Sequence, residues 1–264
     1  YQGQFAIQDA AVLLPQSHVQ LQDISAHLHL GATAAESTAE FAIGQLQHLV
    51  PEPLFKPFSF SGDLKPQSME GKPTAYILNG VGGMPGLSYI KLTGRHTPDS
   101  GNGMLKLAMA PLNFAPNKLQ PEALSSALAS LEEVTGVVSA SAQIKWSIRG
   151  IRSSGAIVEV KNLSLTHETG KISDLNVALN LNNLLPLSSL PQQTIKIRSI
   201  DAGIPLENLL VSYQIASADL PRIILEKAQF SVMDGLVSLT PAVIDPSAAR
   251  SNLLVHVDNI DLAA

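Results

Sequence analysis

Cysteine is absent from the 264-residue chain, which excludes a disulfide framework, a thiolate metal site and a cysteine nucleophile. Charge is sparse. Asp, Glu, Lys and Arg together make up 15% of the residues and balance to a net −5, well under the usual quarter. No basic patch or aromatic platform is visible, so no nucleic-acid partner is expected. Aromatics are 5% of a chain that is 45% hydrophobic, so the apolar content is aliphatic. Long hydrophobic runs are missing as well. The longest, such as Ala10–Leu14, fall far below the ~20 residues of a membrane-spanning helix. Few charges without a membrane span point to more exposed apolar surface than an ordinary soluble domain carries. The chain opens at Tyr1 rather than Met and shows no signal peptide. It ends in a strand-like run at Ala264, so we read it as a piece of a longer protein.

What is present is a recurring strand signature, apolar–x–apolar–x–(Asp/Asn/Ser)–apolar. It occurs at Val19-Leu21-Asp23-Ile24, Val158-Val160-Asn162-Leu163, Leu179-Leu181-Asn183-Leu184, Ile195-Ile197-Ser199-Ile200 and Val255-Val257-Asn259-Ile260, with a looser copy at Phe5-Ile7-Asp9-Ala10. The first two apolar residues share one face of a strand, and the third, an odd step later, falls on the other. A bulge at the Asx position would return all three to one face and bend the strand. Repeated bends make a curved sheet, and a curved sheet with an apolar inner face is a trough.

The fold expected is mainly β: a long curved antiparallel sheet with one or two short helices. Residues 5–30 and 157–181 read as two bent hairpins on one template. Residues 36–48 suggest a short helix with Phe41, Ile43 and Leu46 as its apolar positions. A second helix is expected from Pro121, with Leu124, Leu128, Leu131 and Val134 at helical spacing and Gly136 ending it. Residues 51–73, rich in Pro and Gly, read as loop with a short strand at Phe58–Phe60. We expect one continuous segment over 1–264, with a subdivision into 1–135 and 136–264 around the helix.

No catalytic constellation stands out. Gly80–Gly86 is glycine-rich but lacks the Lys-Ser/Thr of a phosphate-binding loop, and is read as a mobile loop. Ser88 lies in no Gly-x-Ser-x-Gly elbow. His27 and His29 share a strand face without a third metal ligand nearby. Asp99, Ser100 and Asn102 read as a hairpin turn rather than a calcium loop. Neither metal nor cofactor is expected. Arg149, Arg152, Lys161, Lys196 and Arg198 belong to a solvated outer face, with a trough rim as the alternative. The informative positions are alternating and apolar: Val158 and Val160; Leu175, Val177, Leu179 and Leu181; Ile195 and Ile197; Leu209, Val211, Tyr213 and Ile215; Val255 and Val257. They form either a sealed sandwich core or the lining of a trough. The bends, the low charge and the aliphatic character favour the trough.

Residues 136–264 resemble the C-terminal region of the YdbH family, related to the AsmA-like and TamB-like envelope proteins. The matching stretches are Gly136–Trp146, Val158–Leu165, Ile172–Val177, Leu184–Leu187, Ile200–Leu206 and Asp258–Leu262. The resemblance implies a β-taco or half-pipe groove bridging inner and outer membranes and carrying glycerophospholipids. It also implies a periplasmic location, an inner-membrane anchor outside this segment, a small outer-membrane lipoprotein as partner, and no catalytic motif. Under it the fourteen alternating positions become lipid-groove candidates. The competing readings are a structural β module, such as a solenoid or adhesin stalk, and a small-ligand (dicarboxylate) transport accessory. Convergent arginines, which the latter would need, are not seen.

Overall fold

The computed structural model describes residues 2–15, 18–33, 36–51, 53, 55–69, 72–84, 90–184, 186–216, 222–245, 248 and 250–259. The described residues form seventeen strands of one open antiparallel sheet. The first seven are β1 (Gly3–Leu14), β2 (Val19–Leu30), β3 (Thr38–His48), β4 (Phe58–Met69), β5 (Lys72–Gly83), β6 (Ile90–Thr97) and β7 (Asn102–Phe114). Next come β8 (Glu132–Ser147), β9 (Gly150–His167), β10 (Gly170–Leu184), β11 (Leu187–Ser189), β12 (Gln193–Asp201) and β13 (Pro205–Ala216). The last are β14 (Arg222–Val232), β15 (Gly235–Leu239), β16 (Ala242–Ile244) and β17 (Val255–Asp258).

The chain divides into two compact units. Unit 1 comprises Tyr1–Ala110, Pro121–Ala129 and Ser141–Ser153; unit 2 comprises Pro111–Gln120, Ser130–Ala140 and Ser154–Ala264. In unit 1, β1 to β7 form a meander in which each strand pairs with the next. In unit 2, β10 pairs with β9 and β12, and the ladder continues through β13, β14, β15 and β17, with β11 and β16 as short additions.

The bends fall at the Asx positions. Asp9, Asp23, Asn162 and Asn259 have left-handed backbones, φ 54°, 52°, 51° and 56°, the region Asp and Asn tolerate best after Gly. In the β1–β2 ladder, Ile7 faces Ala26, Ala10 faces Ile24, and Val12 faces Leu21. Each strand therefore carries one extra residue, at Asp9 and at Asp23. The β9–β10 ladder repeats this plan around Asn162 and Asp174 (φ 60°). Parity is restored as expected: Leu21 and Ile24 lie opposite Leu46 and Ile43, which face Phe58 and Phe60, two apart on β4. Asn183 and Ser199 are not left-handed, and in the third ladder the extra residue is Asn208 (φ 54°) on β13. These are bulges rather than Asx turns. The Asn162 and Asp174 amides donate to the Asn176 and Ser164 side chains, 3.0 Å in each case.

Both expected helices are corrected. Residues 38–48 are strand β3. Its register shift between Ile43 and Leu46 is the same parity break, here at Gly44, and it imitates helical spacing. The stretch from Pro121 holds only two single 3-10 turns, Pro121–Ala123 and Ser126–Leu128, before β8 begins at Glu132. Tertiary bonds claim this backbone. Leu124 C=O accepts from Lys56 N–H, the Ser125 hydroxyl donates to Pro53 C=O, and the Gln120 amide bonds both N–H and C=O of Val134. The loop expected over 51–73 contains all of β4 and the start of β5. Pro66 is tolerated there because pairing with β3 stops at Leu64. Gly80–Gly83 belong to β5; residues 85–89, including Ser88, lie outside the described residues.

Candidate functional site

Register assigns every paired side chain to a face, because residues directly opposite in an antiparallel pair point the same way. In unit 1 this gives rows across all seven strands. One row runs Phe5–Leu28–Ala39–Leu64–Leu78–Gly94–Leu105. The next runs Ile7–Ala26–Phe41–Gly62–Gly80–Leu92–Leu107, and a third Ala10–Ile24–Ile43–Phe60–Gly82–Ile90–Met109. No polar side chain interrupts them. The opposite face carries Ala6–His27–Glu40–Asp63–Asn79–Thr93–Lys106.

Unit 2 follows the same plan. Val160–Val177–Ile195–Val211–Ala228–Leu239–Val255 is a single row across seven strands. Flanking it on the same face are the pairs Val158–Leu179, Ile197–Leu209, Tyr213–Leu225, Ile215–Ile223 and Phe230–Val237–Val257. Its reverse side reads Asn176–Lys196–Leu210–Gln229–Ser238–His256. All fourteen positions singled out in the sequence lie in unit 2, and its ladders bring them together on one face.

That face is not sealed. Ile197 is buried, Val255 and Val257 are exposed, and the other eleven candidates are half-buried. In unit 1, Phe5 and Ile7 are 64% and 57% exposed. The few polar groups among the apolar rows of unit 2 are bonded into the backbone. Gln193 accepts from Asn180 N–H and donates to Leu190 C=O; Ser189 accepts from Ile215 N–H at 2.8 Å. Tyr213 is the exception, its hydroxyl having no partner among the described residues, and burial pushes its phenol pKa above the usual value.

The other candidates fall elsewhere. His27 and His29 are exposed on the polar face, and among the described residues no three His, Asp or Glu side chains are placed to hold a metal. Asp99 and Ser100 form a 3-10 turn, with the Ser100 hydroxyl accepting from Asn102 N–H. Lys161 pairs with Glu159 at 2.8 Å and Arg198 with Asp174 at 3.1 Å, both on the outer face beside Lys196. On the unit 1 face, sequence reasoning marked the bends of β1 and β2 but named no groove candidate. Four of that face's positions are Gly62, Gly80, Gly82 and Gly94, which carry no apolar side chain to count, and neighbours cover them. The Phe60 ring lies where a Gly82 side chain would stand, 2.1 Å from that Cβ position. Nor is this lining purely aliphatic, since the Phe58 ring meets Phe55 at a tilt and Phe60 edge-to-face, with centroids 5.2 Å apart in each pair.

No described helix is long and apolar enough to cross a membrane. The family model described as "YdbH-like: Intermembrane phospholipid transport protein YdbH" matches residues 2–264. No curated protein and no solved structure matches the chain.

Proposed function

Because this chain belongs to the YdbH-like family of intermembrane phospholipid transport proteins, we propose that the apolar sheet face of each unit is a surface along which glycerophospholipid acyl chains travel. The observation that carries this reading is the set of unbroken apolar rows across seven strands, backed by polar rows and left half-exposed. Seven strands about 4.8 Å apart make a row about 29 Å long, roughly twice the thickness of one leaflet of hydrocarbon. An extended acyl chain therefore fits along a row. Each methylene removed from water gains about 0.8 kcal/mol, so a lipid can leave a bilayer without exposing its tails. The rows repeat similar side chains without a polar trap, which keeps that energy even from strand to strand and lets the lipid move on.

In this reading the segment lies in the periplasm, in a protein anchored in the inner membrane by a part outside residues 1–264. It serves the inner and outer membranes, with an outer-membrane lipoprotein at the far end.

Adjacent residues on opposite faces test the reading. Val211→Asp and Leu92→Asp place a charge on the apolar faces; Leu210→Asp and Thr93→Asp place it on the polar ones. Native mass spectrometry of the detergent-free chain should show co-purifying diacyl phospholipid in the wild type and the polar-face variants. Val211→Asp and Leu92→Asp should lose it while keeping the β circular dichroism spectrum. Unfolding of both apolar-face variants, with a lipid-free wild type, would mean a sealed core.

A further inference from the structure

A further row of unit 1 differs from the three apolar rows already described. Beyond Leu78–Gly94–Leu105, the ladder places Tyr76 opposite His96 and His96 opposite Gly103. The Trp146 ring occupies the space a Gly103 side chain would fill, 2.1 Å from that Cβ position, and stacks on His96 with centroids 6.2 Å apart. Towards the turn at Pro98–Ser100 the face therefore passes from aliphatic side chains to three amphipathic rings. Their polar atoms are unused. The Tyr76 hydroxyl and the Trp146 indole N–H have no hydrogen-bond partner among the described residues, and His96 Nδ1 is buried without one. A buried polar atom without a partner calls for an explanation, and an absent ligand is one.

A second observation lies beside the rings. The turn at Pro98–Gly101 touches the β8–β9 turn, where Ile148 Cβ stands 3.0 Å from a Cβ placed on Gly101. That hairpin carries Arg149 and Arg152, both exposed and outside every ion pair found among the described residues. Between and beside them stand Ile148 and Ile151, 86% and 57% exposed. Exposed aliphatics, amphipathic rings and free guanidiniums on one margin match the ester and phosphate layer of a phospholipid. Ring N–H and O–H groups suit ester oxygens at an apolar–wet boundary, and guanidinium forms charge-assisted bonds with phosphate.

We propose that the margin formed by Tyr76, His96, Trp146 and the Arg149–Arg152 hairpin binds the phosphoglycerol region of a phospholipid seated on the unit 1 face. The proposal rests on the acyl-groove reading and adds which strand ends face the headgroup. Trp146 is the sole tryptophan, so its fluorescence reports on this margin alone. The probes are monomeric short-chain phosphatidylglycerol and the matching diacylglycerol, which lacks the phosphate. Both should shift Trp146 emission, the phospholipid binding about tenfold more tightly, as one charge-assisted contact would give. Arg149→Gln with Arg152→Gln should abolish that advantage and leave diacylglycerol binding unchanged, and Tyr76→Phe should weaken both ligands. An advantage that survives the double variant overturns the proposal. So does silent Trp146 emission while native mass spectrometry shows bound lipid, which leaves the groove standing. A response to phosphatidylglycerol vesicles but not to monomers would make the margin a membrane-surface contact instead. If no lipid binds by either readout, the groove reading fails along with it.

Discussion

Asp23, Gly82 and Tyr213 each hold a position that another side chain would not. The left-handed backbone at Asp23 (φ 52°) costs an ordinary L-residue roughly 1–2 kcal/mol. Asp23→Val should lose about that much stability in urea unfolding, whereas Asp23→Gly should be near neutral. Gly82→Ala drives a methyl into the Phe60 ring and should cost about 1–3 kcal/mol, the usual range for overpacking. Tyr213 carries a pH signature. Burial raises its pKa above the ordinary value of 10.0, so the unfolded chain loses this proton first as pH rises. Stability is full below the unfolded value and falls as pH climbs through the raised folded one. Denaturant midpoints at about pH 9 and about pH 11 should therefore converge in Tyr213→Phe relative to the wild type.

At the scale of the element, what was legible depended on how the apolar pattern met the bulges. Where the extra residue is Asp or Asn, as in β1, β2 and β9, the odd-step pattern marks both the strand and its bend. In β3 the extra residue sits at Gly44 and the following apolar residue is Leu46; without an Asx marker, the 41–43–46 spacing passes for a helix turn. The run from Pro121 misleads for another reason. Its apolar residues do recur at helical intervals, but Gln120 fixes Val134 as strand through two 2.9 Å bonds, and such contacts are absent from local sequence. Register is the third hidden quantity. The face of unit 2 could be approached from alternation in β13, Leu209 to Ile215. The face of unit 1 becomes visible only when Gly62, Gly80 and Gly94 are seen lying in line with leucines. The Tyr76–His96–Trp146 margin was illegible for the same reason, since β5, β6 and β8 meet there only through the ladders and the missing side chain of Gly103.

At the scale of the molecule, one face of the sheet in each unit takes acyl chains in the proposed function and the other meets water. Strand β10 tests this division most directly because its bulge reverses the alternation at Asp174. A photo-crosslinking side chain placed in turn from position 172 to 180, followed by mass spectrometry of lipid adducts, reads the face residue by residue. Adducts are expected at 172, 175, 177 and 179 and none at 173, 176, 178 and 180, the phase jumping across Asp174 as the register does. Adducts in both phases, or in neither, would contradict the division of faces.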